Sequence, residues 1–201
     1  MKLHAVALIA LLVAAAPAGA EGPATPTRIL VAFHSQTGNT ETLAGLVRDG
    51  VATVDGVEAS LRPLDAVTDD EILHADGILL GTPVHWATVS VETRAFLDRV
   101  GALLLKEGVL DREGRTAGAF CSGGGAAMGK EMARLTILNA FLAMRFVAVG
   151  GVEGEGFGTL GAEATTPDPG SPTTAEEKAA ARASGERFAR LTKRLARGVA
   201  Q

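Results

Sequence analysis

Three hydroxyl side chains, Ser35, Thr37 and Thr40, surround Gly38 in the stretch His34-Ser35-Gln36-Thr37-Gly38-Asn39-Thr40-Glu41. Hydroxyls and backbone amides together can hold a phosphate monoester without a cation. The stretch directly follows an apolar run, Ile29 to Phe33. It precedes Leu43, Leu46, Val47 and Val51, which repeat at helical spacing. A helix is therefore expected from about Asn39, with its unpaired N–H groups and positive dipole end facing the loop. The Gly-Lys-Ser/Thr of a triphosphate-binding loop is missing, and so, from this loop, is the G-x-G-x-x-G of a dinucleotide site. The same residues would also make a plain N-capped turn.

Two further loops carry candidate chemistry. Gly81-Thr82-Pro83-Val84-His85-Trp86-Ala87-Thr88-Val89-Ser90 follows the apolar run Gly77 to Gly81. The chain has one tryptophan and no tyrosine, so Trp86 is the foremost flat ring available to stack on a flat ligand. Cys121-Ser122-Gly123-Gly124-Gly125 follows Thr116 to Cys121, and its glycines let backbone approach a planar group closely.

The elements that must position these loops alternate between strand and helix. Short apolar runs at residues 29–33, 57–61, 77–81, 116–121 and 146–149 read as strands, most of them buried on both faces. Helical stripes lie between them, and a brief helical turn is expected after Asp69-Asp70-Glu71. Gly150 to Pro172, rich in Gly, Thr and Pro, reads as one long loop. Thr174-x-x-Glu177 is a capping box opening a last helix that ends near Gly198. The pattern predicts an α/β sandwich around a five-stranded parallel sheet. Such sheets bind ligands beyond the carboxyl ends of their strands, where all three loops fall.

The 201 residues suit a single domain, and a net charge of −4 offers nothing to hold a nucleic-acid backbone. Lys2, the apolar run Ala5 to Ala16 and the small residues Ala18-Gly19-Ala20 have the three parts of a secretory signal peptide. The run is short for a membrane span of about 20 residues. The expected organisation is a signal peptide over 1–20, a linker over 21–27 and one domain over 28–198. The chain would be exported, to a periplasm or outside the cell, and would keep no membrane span after cleavage near Ala20. Its one cysteine, Cys121, has no partner to pair with and reads as a small buried residue. Lys106, Arg112 and Arg115 read as solvated surface.

Ser35-x-Thr37-Gly38-x-Thr40 resembles the FMN-phosphate loop of flavodoxins. The Gly-Thr-Pro-x-x-aromatic of residues 81–86 and Phe96-Leu97-Asp98 resemble the flavodoxin-like NAD(P)H:quinone oxidoreductases of the tryptophan-repressor-binding-protein type. The glycine-rich stretch from Ser122 is similar to that family's third loop, and the resemblance spans about residues 28 to 197. It implies a flavodoxin-like three-layer sandwich with strand order 2-1-3-4-5 and helices on both faces. It implies FMN as cofactor, with NAD(P)H as donor. Ser35, Gln36, Thr37, Gly38, Asn39 and Thr40 would take the phosphate. Thr82, Pro83, Val84, Trp86 and Ala87 would border the ribityl chain and the ring, and Ser122, Gly123 and Gly124 its other edge. His85 would donate a proton or a hydrogen bond to substrate, or else be a plain loop histidine. His34 reads as structural. Two features depart from the family: His85 stands where it usually has arginine, and Asn139 to Met144 carries no histidine pair.

Three activities stay open on these residues. One is two-electron reduction of a quinone by NAD(P)H through FMN. Another is a flavodoxin-type electron carrier serving a redox partner protein. The last is a cofactor-free module of the same fold. The resemblance also suggests a homodimer or homotetramer.

Overall fold

Along β1 (Thr27–Phe33), Ile29, Val31 and Phe33 enter one apolar cluster and Leu30 and Ala32 another. A strand sends successive side chains to opposite faces, so both faces of this strand are covered. The computed structural model describes residues 25–199 apart from Ala127, residues 154–156 and Pro172. The signal peptide and most of the linker lie outside the described residues.

The chain continues through α1 (Asn39–Val51), β2 (Val57–Pro63), α2 (Asp69–His74), β3 (Gly77–Pro83), α3 (Val91–Lys106), β4 (Thr116–Gly123) and α4 (Lys130–Ala143). The last part holds β5 (Val147–Ala148), β6 (Gly151–Glu153), β7 (Phe157–Thr159), β8 (Glu163–Thr165) and α5 (Ala175–Val199). The main sheet has the order β2-β1-β3-β4-β5, every pairing parallel. Right-handed crossovers then place α1 and α5 on one face and α2, α3 and α4 on the other. Leu43, Val47, Phe120 and Phe188 fill the first layer, and Ile78, Leu80, Phe96, Val100, Ile137 and Phe141 fill the second. Each such buried side chain stabilises the fold by about 1.5–3 kcal/mol. The flavodoxin-like sandwich and its strand order are as the sequence implied.

The segment read as one long loop is more ordered than expected. β6 and β7 form an antiparallel hairpin, and β8 pairs in parallel with β4 through Cys121, Ser122 and Gly123. β5 pairs with the start of the same strand, at Thr116 and Ala117. The fifth strand position is therefore filled in two pieces, with the hairpin inserted between them. The partners of β8 lie some forty residues upstream, so its own Glu-Ala-Thr sequence carries no strand signal. That pairing also extends β4 over Ser122 and Gly123, two residues beyond the expected end.

Arg115 also corrects its reading. It is buried, its guanidinium donates to Ile72 O at 2.6 Å and sits 5.0 Å from the Phe146 ring centroid. Burial first, then the nearby Arg112 charge, pushes its pKa down to about 10.

Candidate functional site

The order β2-β1-β3 sends the chain away from β1 in opposite directions, which opens a crevice at the carboxyl ends of β1 and β3. The loop after β1 is anchored there by His34 N–H donating to Gly81 O at 3.1 Å. Gly38 then adopts φ 85°, a left-handed conformation that costs other residues about 1–2 kcal/mol, and caps α1. The amide and hydroxyl of Thr42 both donate to Gly38 O, at 2.9 and 3.0 Å. Among the described residues, the amides of Ser35 to Glu41 donate to no protein acceptor.

Ser35 is the informative residue of this loop. Its Oγ is buried and has no hydrogen-bond partner. A buried hydroxyl left unpaired costs roughly 1–3 kcal/mol, which an acceptor from outside the chain, a phosphate oxygen or a water, would offset. Gln36 and Thr37 are exposed beside it. Thr40 is buried and its Oγ1 lies 2.8 Å from Ser122 Oγ, which ties the first loop to the third. Asn39 donates from Nδ2 to Asp168 O at 3.0 Å and so holds the segment before α5 against the same loop. Of the six residues expected to take phosphate, Ser35, Thr37 and the backbone amides retain free donors, while Thr40 and Asn39 brace the loop. This donor set suits a phosphate monoester at a helix N-terminus.

The second loop is built on strain. His85 and Thr88 exchange both backbone hydrogen bonds, His85 N–H to Thr88 O at 2.9 Å and the reverse at 3.0 Å. Between them Trp86 and Ala87 have φ of 49° and 62°. This is the signature of a type I′ turn, which favours Asn-Gly because both central residues need positive φ. Non-glycine residues held there cost about 1–3 kcal/mol each, and such strain concentrates at ligand sites. The turn leaves the Trp86 side chain 100% exposed. Its platform is fixed from below. Thr82 is fully buried; its Oγ1 donates to Pro83 O at 2.9 Å and accepts from Ser90 N–H and Thr93 Oγ1, both at 3.1 Å. Thr82 therefore shapes the loop from inside. Pro83, Val84 and His85 are half-buried, and Val84 N–H donates to Ser122 O at 2.8 Å.

In the third loop Ser122 and Gly123 are strand residues, Gly124 is exposed, and a Cβ added at Gly124 would meet nothing within 4 Å. The loop ends at Gly129, with φ 83°, which caps α4. A Cβ there would come 2.3 Å from Ala87 Cα, so the second and third loops touch at a point only glycine permits.

Sequence reasoning missed Lys130, Arg134 and Glu163. Lys130 Nζ lies 2.8 Å from both Thr165 Oγ1 and Glu163 Oε1, and Arg134 pairs with the same carboxylate while donating to Gly161 O at 2.5 Å. Both cations are buried. They fasten β8 to α4 and so brace the strand end that carries Ser122. Glu163 is too far along the chain for any local spacing to reveal it. Cys121, beside this cluster, is fully buried, and desolvation pushes its thiol up to about 12. Iodoacetamide at pH 8 should leave the folded chain unlabelled and modify it in denaturant, as read by intact mass; labelling of the folded chain would place Cys121 within solvent reach.

His34 from the start of the loop after β1, His85 from the second loop and Glu92 from the first turn of α3 lie at the same edge. His34 Nε2 is 3.4 Å from Glu92 Oε2, an electrostatic contact that lacks hydrogen-bond alignment. The Glu92 carboxyl is held below its usual range, first by its own backbone N–H, then by the charges of His34 and His85 and the Ser90 hydroxyl, against a burial cost.

Residues 28–154 match the family described as NADPH-dependent FMN reductase. A flavodoxin of Aquifex aeolicus is 35% identical over 164 residues, covering 81% of this chain and 85% of its own. A probable NAD(P)H dehydrogenase (quinone) of Arabidopsis thaliana is 28% identical and covers 86% of this chain and 74% of its own. The flavodoxin, WrbA-like protein from Agrobacterium tumefaciens shares the fold, with TM-score 0.67 at 18% identity over 84% of this chain and 98% of its own. The crevice between β1 and β3, the unpaired donors around Ser35 and these matches agree, and the chain belongs to the flavodoxin-like family of FMN reductases and quinone oxidoreductases.

Proposed function

We propose that this chain binds FMN and carries electrons from NAD(P)H to a small quinone. The observation that carries the reading is the unpaired Ser35 Oγ beside free amides at the N-terminus of α1. No lysine or arginine stands in that loop, so the donors suit one phosphate monoester rather than a polyphosphate. When bound, FMN supplies the two-electron redox chemistry, and the protein supplies binding, orientation and electrostatics. Ser35, Thr37 and the amides from Gln36 to Thr40 hold the phosphate. Trp86 and the 84–87 backbone border the ring on one side, and Gly123 and Gly124 on the other.

The flavodoxin-type carrier remains the second reading, favoured by the 35% identical flavodoxin relative. It would exchange electrons with a partner protein in place of a quinone. Export to a periplasm or outside the cell is part of the proposal, supported by Lys2, the Ala5–Ala16 run and Ala18-Gly19-Ala20. So is assembly as a homodimer or homotetramer, supported by the family resemblance.

The test is to purify the chain from Glu21, add FMN, remove the excess and record absorption and Trp86 fluorescence. A retained flavin band with quenched indole emission is expected, because stacked aromatic rings couple. NAD(P)H oxidation that depends on added quinone then separates the reductase from the carrier. A colourless protein would overturn both and leave a cofactor-free module.

A further inference from the structure

Behind the third loop lies a buried cluster of two cations and one directly paired carboxylate. Lys130 opens α4 and Arg134 follows one turn later. Both side chains are buried, and the partly exposed Glu163 from β8 pairs with both. A guanidinium keeps its proton in any protein, and the Lys130 ammonium lies 2.8 Å from the Glu163 carboxylate. The neighbours add little further charge. Cys121 is a neutral thiol, and Thr165 offers Lys130 its hydroxyl. Glu177 from α5, half-buried, accepts the N–H groups of Thr165 and Thr174. Glu131 is exposed, and the loop from Ser122 to Gly129 has no charged residue. The N-terminal end of α4 adds a partial positive charge of its own. Excess buried positive charge costs stability, which a negative charge arriving beside it would offset. The place where such a charge would arrive is marked by Gly123. A Cβ added there would come 3.0 Å from Lys130 Cγ and 3.2 Å from Val84 Cγ2. The bare glycine therefore makes room for the lysine stem directly against the strand end that carries the third loop.

We propose that Lys130 and Arg134, held in place by Glu163, raise the reduction potential of the flavin by stabilising its reduced, negatively charged form. The inference rests on the FMN reading above, in which Gly123 and Gly124 border one side of the ring. A hydride from NAD(P)H brings two electrons and one proton, so the ring gains one negative charge as NAD(P)+ leaves. That charge departs when the electron pair and the proton pass to the quinone, which takes a second proton from water and becomes hydroquinone. Lys130 and Arg134 touch neither reactant and act through their field alone. Their excess charge favours binding of the reduced flavin over the oxidised one. By linkage, that difference in affinity is a rise in potential.

The test is a redox titration of the FMN-loaded protein at fixed pH, checked by the dissociation constants for oxidised and reduced FMN. At the effective dielectric of a protein, a unit charge within about 10 Å shifts a neighbouring charge equilibrium roughly tenfold. Lys130→Met leaves one cation against one carboxylate. It should lower the ratio of oxidised to reduced dissociation constants about tenfold, a midpoint about 30 mV lower for a two-electron couple. Lys130→Arg keeps the charge and should leave the midpoint at the wild-type value. Glu163→Gln leaves two cations without their carboxylate and should move the midpoint the other way, upward. A cluster that only braces β8 against α4 would loosen both forms of FMN alike in Lys130→Met and Glu163→Gln, and an unmoved midpoint in these variants overturns the proposal. If Lys130→Met does not fold, Glu163→Gln decides, and a midpoint that stays or falls there overturns it equally. A wild-type chain that retains no FMN overturns the cofactor reading instead, and with it any potential to tune.

Discussion

Ser35→Ala should shift stability and affinity in opposite directions. In the cofactor-free protein it removes a buried hydroxyl that has no partner, so unfolding in urea should need about 1 kcal/mol more. In the loaded protein it removes a donor to the phosphate, so FMN should bind roughly 10–100-fold more weakly, about 1–3 kcal/mol. Riboflavin, which lacks the phosphate, should bind both proteins alike. If Ser35→Ala loses stability without FMN, the hydroxyl has an internal role. If FMN affinity is unchanged, it does not meet the phosphate.

Gly129→Ala should damage the site more than any single side-chain deletion in the three loops. The residue has φ 83°, and its added Cβ would lie 2.3 Å from Ala87 Cα, backbone that cannot swing aside. Left-handed strain and overpacking together cost about 2–4 kcal/mol. The cost falls on the contact between the Trp86 turn and the start of α4, so FMN affinity should drop along with the melting temperature. Gly124→Ala is the control. It lies in the same loop, but its Cβ would meet nothing within 4 Å, so its stability effect should stay under about 0.5 kcal/mol. Equal effects at the two glycines would show that the loops do not depend on this contact.

Much of the fold was legible because its signals are local. The strands 29–33, 77–81 and 116–121 are short apolar runs, and a run buried on both faces can only be a central strand here. The capping box at Thr174 formed as read: Glu177 N–H donates to Thr174 Oγ1 at 3.1 Å, and Thr174 N–H donates to Glu177 Oε2 at 2.9 Å. The split fifth strand was not legible. β8 exists because β4 offers it a free edge, and a three-residue segment announces nothing of a partner so far away.

The site divides along the same line. Residue type and spacing alone marked out the candidate phosphate loop, since hydroxyls, Gly38 and a helix start lie within a few residues of one another. They likewise placed Trp86 and the Ser122–Gly124 turn after strands, where ligands of such sheets sit. Only the tertiary structure decided which of those residues keep a free donor. Thr40 and Thr82 belong to the recognised motifs, yet their hydroxyls are engaged by Ser122 and by Ser90 and Thr93. Only it showed that Lys130 and Arg134 share Glu163, and that His34 faces Glu92. A loop's sequence specifies its donors and its turn. Whether a donor is left unpaired depends on the backbones and side chains that parallel strands bring beside it, and those are fixed by packing between residues tens of positions apart.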